Sequence, residues 1–461
     1  MTTYVGTSGD DTLDLLTPFT NSSTVYSSIR TLDGKDTIFN YTEVGVYEFS
    51  GVAASVTNIN TGNGDDIITL RQANNSTING ADGDDNFIIS FTNNALILGG
   101  AGDDTFSSFN ELVDYTGEVE LSGTTNTQYR GGTGDDTFNL YQVSNANVSG
   151  GQDNDTIIAN FGSENSFFKG DSGDDNFIIE GTNNIISGGN GADDITILNG
   201  YSASAAYGGN DDDYISREFA EILANPAEIV DVYSLPSDYS ALTSLLNGGA
   251  GNDTIKGGHV ANDLTIDVTS QETLIGGAGD DEVFAFGGDD SLYGQDGADL
   301  LDGGAGDDFI SGGSGDDIIA GGFGDDKIFG GDGDDLVADI SVDASEVDPN
   351  GGADRLYGDV GDDTLVSTGG EDRLHGGDGD DVFAFLPYDG LVDAVIEDFV
   401  QGEDTIFILE VNASGTVSFA LDFSTLTIAE SNGSTDIVFD NGSNINIANV
   451  TGITIADFFA V

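Results

Sequence analysis

Along much of the chain an apolar residue recurs at a fixed spacing, every nine positions in its later part and every 18 to 20 upstream. It sits between two mixed positions and follows six residues dominated by glycine and aspartate. Seven such units run without a gap from Gly276 to Ala338; Gly303–Ser311 reads GGAGDDFIS, Gly312–Ala320 GGSGDDIIA and Gly321–Phe329 GGFGDDKIF. After a ten-residue interruption, Asp339 to Asp348, four more run from Pro349 to Ala384. Upstream the unit recurs with gaps, starting near residues 61, 80, 99, 131, 150, 170, 188, 208 and 248, with weaker copies at Gly6–Asp14 and Thr31–Phe39. All 22 units carry Asp at the sixth position and an apolar residue at the eighth, and 20 carry Gly at the fourth. A period this regular marks a repeat architecture, G-G-x-G-x-D-x-U-x with U apolar.

The period predicts the elements. Glycine-rich positions one to six suit a tight turn with positive φ. The remaining x-U-x forms a short strand that points its apolar residue inward. Turn plus strand is half a coil, so two units close one 18-residue coil of a parallel β-roll. In the tandem block, Asp-bearing turns should therefore line both edges. Upstream the period is 18 to 20 residues, one coil with a single Asp-bearing turn. The other half-coil often holds an Asn pair (Asn74-Asn75, Asn93-Asn94, Asn183-Asn184), which suits left-handed turns and stacked amide ladders. The expected fold is all-β, a parallel β-roll or β-helix solenoid. One Asp edge is expected over 61–216 and two over 276–384.

The expected domains are an N-terminal capping region with degenerate repeats (1–60), a solenoid with one motif per coil (61–247), a β-roll of tandem nonapeptides (248–384), and a β-rich C-terminal cap with a secretion-signal region (385–461). Segments 107–130 and 217–247 interrupt the pattern and are expected as loops on one face. Within the second, Glu218–Ala224 and Ser237–Leu246 suit short helices around Pro226 and Pro236.

Composition narrows the function. Of 461 residues, 83 are acidic (65 of them Asp) against 10 Lys or Arg, for a formal net charge of −73. Such a surface repels phosphate backbones and excludes nucleic acid as a partner. No apolar run approaches the ~18 residues of a membrane-spanning helix, and the first residues lack the basic and apolar regions of a cleaved signal peptide. A chain with 38% hydrophobic and 9% aromatic residues is nonetheless expected to fold. Stacked coils would set like charges ~5 Å apart along each edge, which is unfavourable without cations between them. Carboxylates and turn carbonyls are hard oxygen donors, and they select Ca²⁺. With no Cys and only His259 and His375, softer metals are not expected. Folding and metal loading should then be coupled. The fifth-position acids, such as Asp307, Asp316 and Asp325, read as solvated charges or as outer partners of the ligands rather than as direct ligands.

These nonapeptides resemble those of the RTX proteins, the Ca²⁺-binding β-roll family exported by Gram-negative bacteria, over about three quarters of the chain. The tail adds to the likeness. Residues 394–407 (AVIEDFVQGEDTIF) resemble the segment that caps RTX rolls, and 434–447 with 453–461 resemble the uncleaved C-terminal signal of type I secretion cargo. The resemblance implies multiple Ca²⁺ ions held by sixth-position aspartates and turn carbonyls. The matching aspartates are Asp66, Asp85, Asp104, Asp136, Asp155, Asp175, Asp193, Asp213, Asp253, Asp281, Asp290, Asp299, Asp308, Asp317, Asp326, Asp335, Asp354, Asp363, Asp372 and Asp381. The matching carbonyl donors include Gly276, Gly294, Gly303, Gly312, Gly321 and Gly330. It also implies type I secretion and an extracellular or cell-surface location. A repeat-like unit already starts at Gly6, so a separate active domain ahead of the repeats is not expected.

No catalytic constellation stands out. Gly170-Asp171-Ser172-Gly173 echoes a serine-protease motif but falls in register as turn positions, and the chain lacks the H-E-x-x-H, G-x-S-x-G and P-loop signatures. Phe87, Phe106, Phe138, Phe177 and Phe383 occupy the inward eighth position and are expected in the core. Phe109, Tyr115, Tyr129, Phe219, Tyr233 and Tyr239 fall in the insertions, where they suit either a contact patch or packing beneath the loops. The expected function is structural: a secreted, self-assembling surface or matrix component joined to its own copies through Ca²⁺. The open alternatives are a glycan-binding adhesin that contacts cell-surface polysaccharide, and a polysaccharide-modifying β-helix enzyme.

Overall fold

The computed structural model describes residues 2–14, 26–31, 33–39, 58–70, 73–89, 92–108, 124–198, 204–219, 243–260, 271–340, 352–386, 393–408, 410–411, 417–418, 427–431, 433–438, 444–451 and 453. Among them there is no helix, and none long and apolar enough to cross a membrane. The chain divides into two compact units, 1–214 and 215–461.

In the first unit each coil contributes one short strand to each of two parallel sheets. Thr77–Asp82 leads through a turn to Asn86–Ile89, and a second turn returns the chain to Leu96–Ala101. Equivalent positions lie directly over one another: Ile78 pairs with Ile97 and Ile97 with Tyr129, while across the second sheet Phe87 pairs with Phe106 and Phe106 with Phe138. Exposure alternates along these strands, so the apolar residue of each x-U-x faces its counterpart in the opposite sheet. Phe87, Phe106 and Phe138 form a stack with ring centroids 4.8 and 4.4 Å apart, each at most 1% exposed. All five phenylalanines expected in the core are there. Tyr129 is also core, 2% exposed and edge-on to Phe106 at 6.3 Å. It is therefore not part of a contact patch, because residues 128–133 have already rejoined the sheet between Leu96–Ala101 and Asn147–Gln152. Of the other insertion aromatics, Phe109, Tyr115, Tyr233 and Tyr239 and the Phe219 side chain lie outside the described residues.

The return turns of this unit hold the Asn pairs. Asn75, Asn94, Asn126, Asn145, Asn165 and Asn183 all adopt φ between 49° and 57°. Their amides form a partial ladder: Asn94 Nδ2 donates to Asn75 Oδ1 at 2.9 Å and Asn126 Nδ2 to Asn93 Oδ1 at 3.2 Å. The short amide side chain is what tolerates that left-handed backbone.

In the second unit the coil shortens to 18 residues, as in Ser291–Asp296, Leu300–Ala305 and Phe309–Ser314, and both turns carry Asp. The end is closed by strands outside the repeat. Asp393–Ile396 pairs with Asn444–Ile447, which continues antiparallel to Ser434–Val438 and Thr427–Ser431. Two segments that suited helices by sequence are strand where described. Glu218 and Phe219 are the last residues of the strand Tyr214–Phe219, and Thr243–Leu246 belong to the strand Thr243–Ala250, in register with Gln271–Ala278. Pairing to a neighbouring coil overrides local helix preference there; residues 220–242 lie outside the described residues.

Candidate metal centres

The turn from each first-sheet strand into the second sheet places its sixth-position Asp inside the wall of the roll. In the first unit Asp66, Asp85, Asp104, Asp136, Asp155, Asp175, Asp193 and Asp213 form one column, each 1–3% exposed. One bond repeats along it. The backbone N–H of Asp66 donates to Oδ1 of Asp85 at 2.8 Å, that of Asp85 to Asp104 at 2.8 Å, and so on to Asp193 and Asp213, also at 2.8 Å. The second unit has two columns. One runs through Asp253, Asp281, Asp299, Asp317, Asp335, Asp363 and Asp381, the other through Asp290, Asp308, Asp326, Asp354 and Asp372, with the same bonds at 2.7–3.1 Å. Every aspartate singled out from the sequence therefore lies in a column.

Each rung spends only half of its carboxylate on the ladder. Oδ2 is buried without a hydrogen-bond partner at Asp66, Asp85, Asp104, Asp136, Asp155, Asp175 and Asp193, and at Asp281, Asp290, Asp299, Asp308, Asp317, Asp326, Asp335 and Asp363. A buried carboxylate oxygen with no donor is costly. The first-position glycine explains the space around it. A Cβ on Gly276, Gly294, Gly303, Gly312, Gly321 or Gly330 would collide with Oδ2 of the Asp five residues on. A Cβ on Gly294 or Gly303 would also come within 2.6 Å of the carbonyl oxygen of Gly312 or Gly321 in the next coil. Each turn is thus a small cradle lined by a carboxylate oxygen and a glycine carbonyl. That donor set, hard and partly negative, suits Ca²⁺.

Electrostatics agree with the cradle. Burial, and then the charges of neighbouring acids, push Asp85, Asp136 and Asp317 up to about 7, Asp155 and Asp308 to about 8, and Asp290 and Asp354 to about 9. The ladder N–H each rung accepts opposes this shift without cancelling it. The fifth-position acids behave differently. They are exposed and form a ladder of opposite sense, as where the Asp307 N–H donates to Asp289 Oδ1 at 3.1 Å and the Asp325 N–H to Asp307 Oδ1 at 3.0 Å. They organise the outer rim rather than the cradle.

Several members were not singled out from the sequence. The first column continues to the weaker copies, where the Asp36 N–H donates to Asp66 Oδ1 at 2.6 Å and the Asp11 N–H to Asp36 Oδ1 at 2.7 Å. Asp404 ends another column by accepting the Asp381 N–H at 3.1 Å. Glu272 heads the third; its N–H donates to Asp290 Oδ1 at 2.7 Å. Spacing was the available signal, since Glu272 precedes Asp290 by one 18-residue coil. Its carboxylate pairs with the guanidinium of Arg217, both side chains at most 1% exposed, and accepts the Gly258 N–H at 3.2 Å. His375 lies on the outer face, Nε2 3.3 Å from Asp398 Oδ2, and Ser172, the last residue of the strand Phe167–Ser172, donates its Oγ to Gly151 O at 3.3 Å. The His259 side chain lies outside the described residues.

The family model of the RTX calcium-binding nonapeptide repeat matches residues 244–259, 269–301, 302–337 and 348–383, in four copies. Those residues are RTX calcium-binding nonapeptide repeats. The chain's nonapeptide repeats therefore bind Ca²⁺ at multiple sites. Among solved structures, it is similar to extracellular lipase LipA from Serratia marcescens, with 17% identity, 48% of this chain and 45% of that chain covered, and a TM-score of 0.17. The chain thus aligns with less than half of that lipase. No curated protein matches this chain.

Proposed function

We propose that the chain is a secreted RTX protein whose Ca²⁺-loaded rolls assemble into a cell-surface or extracellular-matrix layer. The ions sit along the columns, each held by Oδ2 of the sixth-position Asp and by first-position glycine carbonyls, including those of Gly276, Gly294, Gly303, Gly312, Gly321 and Gly330. The unpartnered Oδ2 atoms support that assignment. Export by the type I machinery follows the habit of RTX proteins, and Ca²⁺ outside the cell drives folding after export. Residues 1–60 and 385–461 act as caps to the repeats between them, and the columns hold their carboxylates for metal rather than for catalysis.

One observation carries the self-assembly. On the second unit's outer surface Ile318 and Leu336, directly paired across neighbouring strands, are 48% and 39% exposed. An outward apolar pair on a repetitive face suits contact with another copy. Electron microscopy and light scattering of purified protein test this. Ordered sheets or filaments in millimolar Ca²⁺ that dissolve in chelator are expected; monomers at high protein and Ca²⁺ concentration would overturn it.

A second reading, a glycan-binding adhesin, draws on the other sheet. Tyr293, Phe309, Phe329, Tyr357 and His375 form a continuous outward row, with Phe329 stacked on Tyr357 at 4.8 Å. Such a row offers flat faces to sugar rings. Binding on a glycan array that Phe329→Ala abolishes would favour this role over assembly.

A further inference from the structure

One carboxylate cluster uses a residue from outside the repeats. Asp339 follows the last of the seven tandem units and occupies no repeat position, yet it is only 6% exposed. Its N–H donates to Val366 O at 3.2 Å, and its Oδ2 accepts the Thr368 N–H at 2.7 Å. These bonds hold the side chain beside the last rungs of its column and leave Oδ1 buried and unpartnered. Asp339, Asp354 and Asp372 each offer a carboxylate oxygen within 4.8 Å of the other two, and Asp354 and Asp372 are 2% and 0% exposed. No ion pair among the described residues reaches any of the three.

The turn itself departs from the ordinary cradle. Position one is Ser367 instead of glycine, and its hydroxyl donates to Asp372 Oδ2 at 2.6 Å. The oxygen that is bare in most other rungs accepts a hydrogen bond here, so this turn has less free carboxylate to offer an ion than they do. Asp339 supplies the missing negative oxygen from the side. Three buried carboxylates without a basic partner cannot all be ionised together unless a cation lies among them.

We propose that Asp339 joins the sixth-position Asp354 and Asp372 in a three-carboxylate Ca²⁺ site, set apart from the other turns by Asp339, that fixes the chain just after Ala338 to the column. The choice of ion rests on the Ca²⁺-loading reading above; the site itself rests on Asp339. A site with three carboxylates outranks turns with fewer charges per ion, because affinity rises with ligand charge. It should fill first as Ca²⁺ rises.

The test is calorimetric titration of the full chain with Ca²⁺, comparing wild type with Asp339→Asn, which keeps the shape and removes the charge. The variant should bind one ion fewer, and its first binding step should weaken at least tenfold, with the final circular dichroism unchanged. Unaltered stoichiometry and first-step affinity would overturn the site. Crystals of wild-type protein soaked with Tb³⁺ decide the matter even if the variant does not fold. An anomalous peak among the three carboxylates is expected. Peaks along the turns with none here would overturn this site alone, whereas no peak in either place would overturn the turn assignment as well.

Discussion

Remove Ca²⁺ and lower the pH, and the chain should fold. The columns hold carboxylates that burial and like charge keep protonated far above the ordinary value of 3.8: to about 7 at Asp85, Asp136, Asp193, Asp281, Asp317, Asp326 and Asp363, and to about 6 at Asp66, Asp175, Asp335 and Asp381. In the unfolded chain the same groups titrate near 3.8. The folded state therefore binds more protons than the unfolded one, and stability falls as pH rises. It is fully present below about 4 and lost as pH climbs through the folded values of 6 to 9. If only four rungs differ by a whole proton, the slope is about 5–6 kcal/mol per pH unit. That rivals the entire stability of a domain. The transition should therefore be narrower than one pH unit and lie between about 4.5 and 7. Far-UV circular dichroism and hydrodynamic radius in excess chelator follow it directly. Compact β-structure at pH 4.5 and an expanded chain at pH 8 are expected, with no such change in saturating Ca²⁺. A chelated chain equally expanded at both values, or folded at pH 8, would refute the reasoning.

Other perturbations separate the parts of the structure. Gly312→Ala places a methyl group against Asp317 Oδ2 and 2.6 Å from Gly330 O, so it should cost about 1–3 kcal/mol and raise the Ca²⁺ midpoint for folding. Phe106→Ala opens the centre of a three-ring stack and should cost about 3–5 kcal/mol in urea unfolding, with no direct effect on ion count. Arg217→Met leaves Glu272 buried beside Asp290 without its cation, and should cost about 3–5 kcal/mol at neutral pH. The double variant Arg217→Met with Glu272→Gln should recover most of that loss, and failure to recover would deny the pair its role.

Much of the fold was legible because the repeat states the same thing many times. The eighth-position residue is inward at Phe87, Ile157 and Leu365 alike, since a two-residue strand period leaves it no other face. The switch from one Asp edge to two follows from coil length, and the Asn pairs mark the plain edge through their positive φ. What the sequence concealed came from outside the period. Tyr129 looked like part of an insertion, but the sheet resumes at Gln128 and its register draws the ring into the core. Glu272 and Arg217 lie 55 residues apart, and only the stacking of coils brings them together. Asp339 falls in an interruption where the motif gives no position to read. The fifth-position ladder was read correctly as exposed charge, although its bonding to the next coil has no signature in a single unit.

Counting ions while watching the chain fold tests the central claim most directly. Chelator-stripped protein is dialysed against graded Ca²⁺ at pH 7.5, with bound ion measured by atomic absorption and folding by circular dichroism on the same samples. On the order of 10 to 20 ions per chain should bind, and β-structure should appear together with them, as stacked turns each sharing an ion require. A chain already folded in chelator at that pH, or one that folds fully with only two or three ions bound, would contradict the account.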